Sequence, residues 1–278
     1  MRFALRAAAA VAVAGVVGLA QAGAARTSPA GQVVEGSFDS AAGTLAYDVY
    51  LPPGYDTSSL HYPVIYYLHG LPAGPAAYRT FTYVPSALEA AGLHAIVVAP
   101  QGAAPGDTDP EYLDQGLGED WETAIATQLP KVVDSTYRTI PTRLGRALVG
   151  VSAGGYGAMM LGLHHLGLFS AVESWSGYFH PTDPTGTRSI SSRTWLSAHA
   201  FVSSLNRAFA VHPTFLGFYV GSQDGLFRPE NVQFARELSR AKVPFVFRMY
   251  TAGHTQSLWT QQAAGWLTLL LSHLAPAR

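Results

Sequence analysis

Short apolar runs alternate with helix-patterned stretches along most of this chain, and that alternation narrows the fold more than any other feature. Thr44 to Leu51 alternates as a half-buried strand, with Leu45, Tyr47, Val49 and Leu51 on one face, and stops at Pro52-Pro53-Gly54. Pro63 to Leu68 and His94 to Ala99 are continuous apolar runs, the pattern of strands buried on both faces. Ala147 to Val151, Ala171 to Trp175, Phe215 to Val220 and Phe245 to Tyr250 read as further strands. Helical patterns cover Glu119 to Tyr137, with a kink expected at Pro130, then Ala153 to His165, Asn231 to Ala241 and Gln256 to Leu274. Gly118 is a permitted N-cap for the first of these but offers no side-chain acceptor. Such a chain folds as an α/β protein, a mostly parallel sheet with helices on both faces.

The beginning of the chain follows different rules. Arg2 and Arg6 precede an apolar run from Ala7 to Ala20, and two small-x-small sites follow, Ala20-Gln21-Ala22 and Ala22-Gly23-Ala24. A cationic start, an apolar run of this length and a processing site make a secretion signal over residues 1–24. Fourteen apolar residues fall short of a membrane span, so no stable span is expected once the signal is removed. Residues 25–278 read as one catalytic domain, with no internal repeat and no second-domain boundary. With zero Cys, disulfides, thiolate nucleophiles and Cys-ligated zinc are all excluded. A formal net charge of -1 gives no electrostatic footprint for nucleic acid.

The chemistry concentrates at Gly150-Val151-Ser152-Ala153-Gly154, between an expected strand and an expected helix. A turn that tight needs small residues around the serine and lifts its hydroxyl above the sheet. Serine needs a base. Of the ten histidines, His254 in Thr251-Ala252-Gly253-His254 directly follows the last strand. The others, His180, His199, His164 and His165 among them, read as solvated or core-satisfied. As neighbours, His164 and His165 are expected on different helix faces. Asp224, in Gly221-Ser222-Gln223-Asp224-Gly225, supplies the acid, with Glu173 and Asp183 as reserves. The order Ser152, Asp224, His254 is that of α/β-hydrolases. Oxyanion donors are expected from the N–H groups of Ala153 and of Leu71, in His69-Gly70-Leu71-Pro72, with His69 bracing that loop. Trp175, Tyr178 and Phe179 are the candidate substrate contacts, beside a polar insertion from Pro181 to Arg193. No metal-ligand spacing of the His-Glu-x-x-His type is present, and neither metal nor cofactor is expected.

Residues 44 to 270 resemble the putative-esterase family of α/β-hydrolases, which holds feruloyl and acetyl esterase domains, S-formylglutathione hydrolases and mycobacterial mycolyltransferases. The resemblance is carried by Tyr50-Leu51-Pro52-Pro53-Gly54-Tyr55, Pro63-Val64-Ile65-Tyr66-Tyr67-Leu68-His69-Gly70 and Val98-Ala99-Pro100-Gln101-Gly102. The elbow around Ser152, Trp175-Ser176-Gly177-Tyr178 and Gly253-His254 also match. It implies Ser152 as nucleophile, His254 as base, Asp224 as acid, and Leu71 with Ala153 as oxyanion donors. His69 before the glycine is similar to the feruloyl-esterase branch. The mycolyltransferases carry Asp there and Glu as the acid.

The expectation is a secreted serine carboxylesterase acting on short-chain acyl or aryl esters, small-molecule or polysaccharide-linked, through an acyl-enzyme. Two other classes fit the same residues. One is an acyltransferase that passes the acyl group to a sugar or lipid alcohol. The other is a non-catalytic cell-wall module on the same fold.

Overall fold

The computed structural model describes residues 30–74, 76–103, 112–181, 188 and 194–278. The expected signal over residues 1–24, the reserve acid Asp183 and nearly all of the 181–193 insertion lie outside the described residues.

Among the described residues eight strands form one sheet: β1 (Gln32–Ser40), β2 (Gly43–Leu51), β3 (Val64–Leu68), β4 (Ile96–Pro100), β5 (Arg146–Val151), β6 (Ala171–Trp175), β7 (Phe215–Gly221) and β8 (Val246–Tyr250). Their order is β1-β2-β4-β3-β5-β6-β7-β8. β1 with β2 and β2 with β4 are antiparallel, and β4 through β8 pair in parallel. Among the described residues six α-helices flank the sheet: α1 (Tyr83–Ala90), α2 (Leu129–Thr136), α3 (Ala153–His164), α4 (Val202–Val211), α5 (Arg228–Arg240) and α6 (Gln256–Leu271).

Alternation along the buried strands divides the core into two layers. Val64, Tyr66 and Leu68 pack on one face with side chains of α2, α3, α4 and α5. Ile65 and Tyr67 pack on the other with Val84 and Leu88 of α1 and Trp266, Leu267 and Leu270 of α6. Every residue of β3 and β4 is buried, which is why these strands are continuous apolar runs rather than alternating ones. α3 is buried from Ala153 to Leu163 and lies directly on the sheet.

Three differences from the sequence reading have physical causes. β1 is an edge strand with a mostly exposed, polar pattern, so it carries little periodic signal; its pairing with β2 places it. The helix expected across Pro130 changes register there. Thr123–Gln128 is wound as a π-helix, and Pro130, which has no N–H to donate, occupies the first turn of α2. His164 and His165 converge instead of diverging. α3 ends at His164, and His165 leaves helical geometry (φ -119°, ψ 45°), so both rings reach the Glu122 carboxylate, at 2.9 and 2.8 Å.

Candidate active site

Ser152 sits between the end of β5 and the start of α3 with φ 53° and ψ -121°, a left-handed backbone that a side chain rarely adopts. The local sequence permits the turn. A Cβ on Gly150 would lie 1.9 Å from the Gly154 carbonyl oxygen, and one on Gly154 2.0 Å from that of Leu68. The serine N–H donates to the Trp175 carbonyl of β6, 3.0 Å away, which ties the turn to the neighbouring strand.

His254 and Asp224 arrive from two parallel strands beyond β6, Asp224 three residues after β7 and His254 four after β8. The Ser152 hydroxyl lies 3.0 Å from His254 Nε2, and His254 Nδ1 lies 2.9 Å from Asp224 Oδ2. The other oxygen of Asp224 accepts the backbone N–H groups of Phe227 (3.0 Å) and Leu226 (3.2 Å). Burial raises the Asp224 carboxyl, but the hydrogen bond from His254 and those two N–H groups outweigh it and hold it below the ordinary carboxylate value. The acid is therefore ionised and fixed, with its side chain 1% exposed, while that of His254 is 30% exposed. A hydroxyl, an imidazole and a buried carboxylate in this array form the triad of a serine hydrolase.

Two rings that the sequence reading missed hold the imidazole. Phe227 packs against it at 5.1 Å between ring centroids, and Trp259 meets it edge-on at 5.3 Å. Trp259 is itself fixed by donating its indole N–H to Ser176 Oγ, 3.1 Å away. The available signal was Trp259 lying five residues beyond His254, in the first turns of α6.

Ala153 is the first residue of α3, so no helical carbonyl reaches its N–H. The His69-Gly70-Leu71 loop passes close beside the nucleophile: a Cβ at Gly70 would stand 3.0 Å from Ser152 Cβ and 3.0 Å from the Val151 carbonyl oxygen. The Ala153 N–H thus adjoins the serine, and the loop that carries Leu71 passes beside it at Gly70. His69 is buried; its Nδ1 bonds the Gly70 carbonyl at 2.9 Å, and its own carbonyl accepts the Tyr112 hydroxyl at 2.7 Å.

Other assignments are corrected. Trp175, Tyr178 and Phe179 are 0%, 1% and 0% exposed, so they are core rings and not an open substrate surface. Trp175 packs with Tyr83 and Tyr219, Tyr178 stacks on Tyr156 and Phe227, and Phe179 stacks on Phe234. The reserve acid Glu173 is fully buried within β6 and accepts the Trp175 indole N–H at 2.9 Å. Burial pushes its carboxyl well above the ordinary range despite that bond, and its partner is Trp175 rather than His254.

The sequence matches the family described as "Putative esterase" over residues 42–270. Among curated relatives, "Esterase Rv1288" of Mycobacterium tuberculosis is 33% identical over 130 residues, 47% of this chain and 28% of the relative. The "MPT51/MPB51 antigen" of the same species is 31% identical over 126 residues, 45% of this chain and 41% of the relative. The chain thus matches less than half the length of either. Among solved structures, a ferulic acid esterase superposes with a TM-score of 0.75 at 24% identity, covering 88% of this chain and 99% of the other. An S-formylglutathione hydrolase (FrmB) of Staphylococcus aureus superposes with a TM-score of 0.70 at 20% identity, covering 87% and 100%. These two likenesses describe the fold.

Proposed function

The chain belongs to the putative esterase family, and from that premise we propose that it is a secreted serine carboxylesterase hydrolysing short-chain acyl or aryl esters through an acyl-enzyme. One observation carries the reading: the His254 ring is bonded to the Ser152 hydroxyl on one side and to the Asp224 carboxylate on the other.

Each step uses groups already in place. Asp224 holds the proton of His254 on Nδ1, leaving Nε2 free to accept the Ser152 proton as Oγ attacks the ester carbonyl. The N–H groups of Leu71 and Ala153 receive the charge that develops on the carbonyl oxygen. His254 then protonates the departing alcohol, and a water activated by the same imidazole releases the acid. His69 before Gly70, and Asp224 in the place of the acid, favour hydrolysis over acyl transfer. The cationic start, the apolar run and the small-x-small sites before residue 25 support export. Among the described residues no helix is long and apolar enough to cross a membrane.

The test is a chain-length series of p-nitrophenyl esters, repeated with trehalose or glycerol present. Rates should peak at short acyl groups, with free acid as the product. Specificity that climbs steadily beyond about eight carbons, at roughly 0.8 kcal/mol per added methylene, would count against the short-ester reading. Acyl-sugar forming faster than free acid would replace hydrolysis with transfer.

A further inference from the structure

His180, His199 and Glu230 come from separate parts of the chain, yet a ligand-type atom of each lies within 4.8 Å of the other two. His180 follows the core ring Phe179, His199 lies in the 3₁₀ turn Ala198–Phe201, and Glu230 lies in the first turn of α5. His199 Nε2 is 3.2 Å from Glu230 Oε1, and His180 Nδ1 bonds the same oxygen. The far nitrogen of His199, Nδ1, lies 2.5 Å from Glu237 Oε2.

We propose that His180, His199 and Glu230 form a binding site for a zinc-class divalent cation, with Glu237 orienting His199 from behind. Two imidazoles and one carboxylate, with no thiolate, suit zinc; calcium and magnesium prefer all-oxygen sets. Zinc bonds of about 2.0–2.2 Å in a tetrahedron separate the ligand atoms by roughly 3.3–3.6 Å. The His199–Glu230 separation is already close to that, the His180–Glu230 contact opens to it, and the remaining pair, within 4.8 Å, adjusts to it by side-chain rotation, leaving the fourth position to water.

The orientation of His199 is also fixed from both sides. Its Nδ1 faces a carboxylate, the arrangement that directs the other nitrogen at a metal. Its ring lies edge-on to Phe234 (5.2 Å) and Phe179 (6.2 Å), which stack on each other at 4.3 Å. Glu230, Phe234 and Glu237 are spaced four and three residues apart on α5, so one helix face presents the ligand, the packing ring and the supporting carboxylate. All three ligands are partly exposed, which leaves an entry path. None of the three ligands belongs to the triad of Ser152, His254 and Asp224. Its role is to tie the chain on either side of residues 182–193 to the start of α5.

The test uses the full chain without a polyhistidine tag, stripped by chelator and titrated with zinc against a chromophoric competitor. Cobalt substitution and thermal melts run in parallel. The expected result is one zinc per chain at sub-micromolar affinity, an intense tetrahedral cobalt spectrum, and a Tm that rises with zinc concentration. His199→Gln and Glu230→Gln should each weaken zinc at least 100-fold, and Glu237→Gln roughly 10–100-fold. Failure of the unaltered protein to take up zinc at about 100 µM overturns the site, as does uptake that survives the His199→Gln, Glu230→Gln double change. If those variants do not fold, the unaltered protein decides through cobalt: a weak octahedral spectrum overturns the site.

Discussion

Asp224 meets His254 with one carboxylate oxygen and the backbone of its own loop with the other, so the acid cannot rotate without giving up two N–H bonds. Asp224→Asn should keep this shape and still lose activity, by roughly 10⁴-fold in turnover, because the amide favours the wrong imidazole tautomer. Glu173→Gln should retain activity, since Glu173 is buried inside β6 and bonded to Trp175 rather than to His254. Steady-state kinetics on p-nitrophenyl acetate checks both; a fully active Asp224→Asn enzyme would move the acid elsewhere.

Ser152→Ala should fold and lose roughly 10⁴–10⁶ in turnover, with His254→Ala comparable and the double variant scarcely worse. Groups that act as one unit are lost as one unit. Circular dichroism establishes folding and the same ester assay the loss; independent, multiplying effects would argue against the shared role.

The glycines divide into those that packing demands and those it does not. Gly154→Ala would drive a methyl group into the Leu68 carbonyl and should cost about 3 kcal/mol or more. Gly265 lies within α6, exposed, with nothing within 4 Å of an added Cβ. Gly265→Ala should stabilise by about 0.5–1 kcal/mol, the intrinsic helix preference. Urea unfolding of both variants measures the contrast, and equal effects would sink it.

Glu122 links two histidines, and its contribution should depend on pH. Burial raises its carboxyl, but hydrogen bonds from His164 and His165 outweigh that and take it from 4.5 to about 2. Burial lowers His164, but its bonds to Glu122 win and raise it above 6.5. The lowered acid stabilises the fold above its unfolded pKa and loses this as pH falls toward about 2. The raised imidazole stabilises below its unfolded pKa and loses this as pH rises through its folded value. The two windows overlap at about pH 5–6. Glu122→Gln should therefore destabilise most there and less at about pH 9, as read from denaturant midpoints; a pH-independent loss would show packing rather than charge.

Much of this was legible in the chain because strand runs, turn glycines and the Ser152, Asp224, His254 order are local signals. What escaped was set by contacts distant in sequence. β1 is specified by its register with β2 more than by its own exposed pattern. Trp175, Tyr178 and Phe179 have the composition of a binding surface, and only packing against Tyr219, Phe227 and Phe234 shows them to be core. His180 and Glu230 are fifty residues apart, so no spacing rule could have paired them.

The sheet places β6 between the strand that delivers the nucleophile and the strand that delivers the acid, while β6 itself contributes no member of the triad. Its backbone carbonyl at Trp175 steadies Ser152 and its flanks hold the core, so the strand acts as a spacer of fixed width. Residues 182–193 contribute no member of the triad, whose three groups are carried by the ends of β5, β7 and β8. A descendant of this protein could therefore vary the chain between β6 and β7 and still inherit the three strand ends that carry the hydrolytic centre.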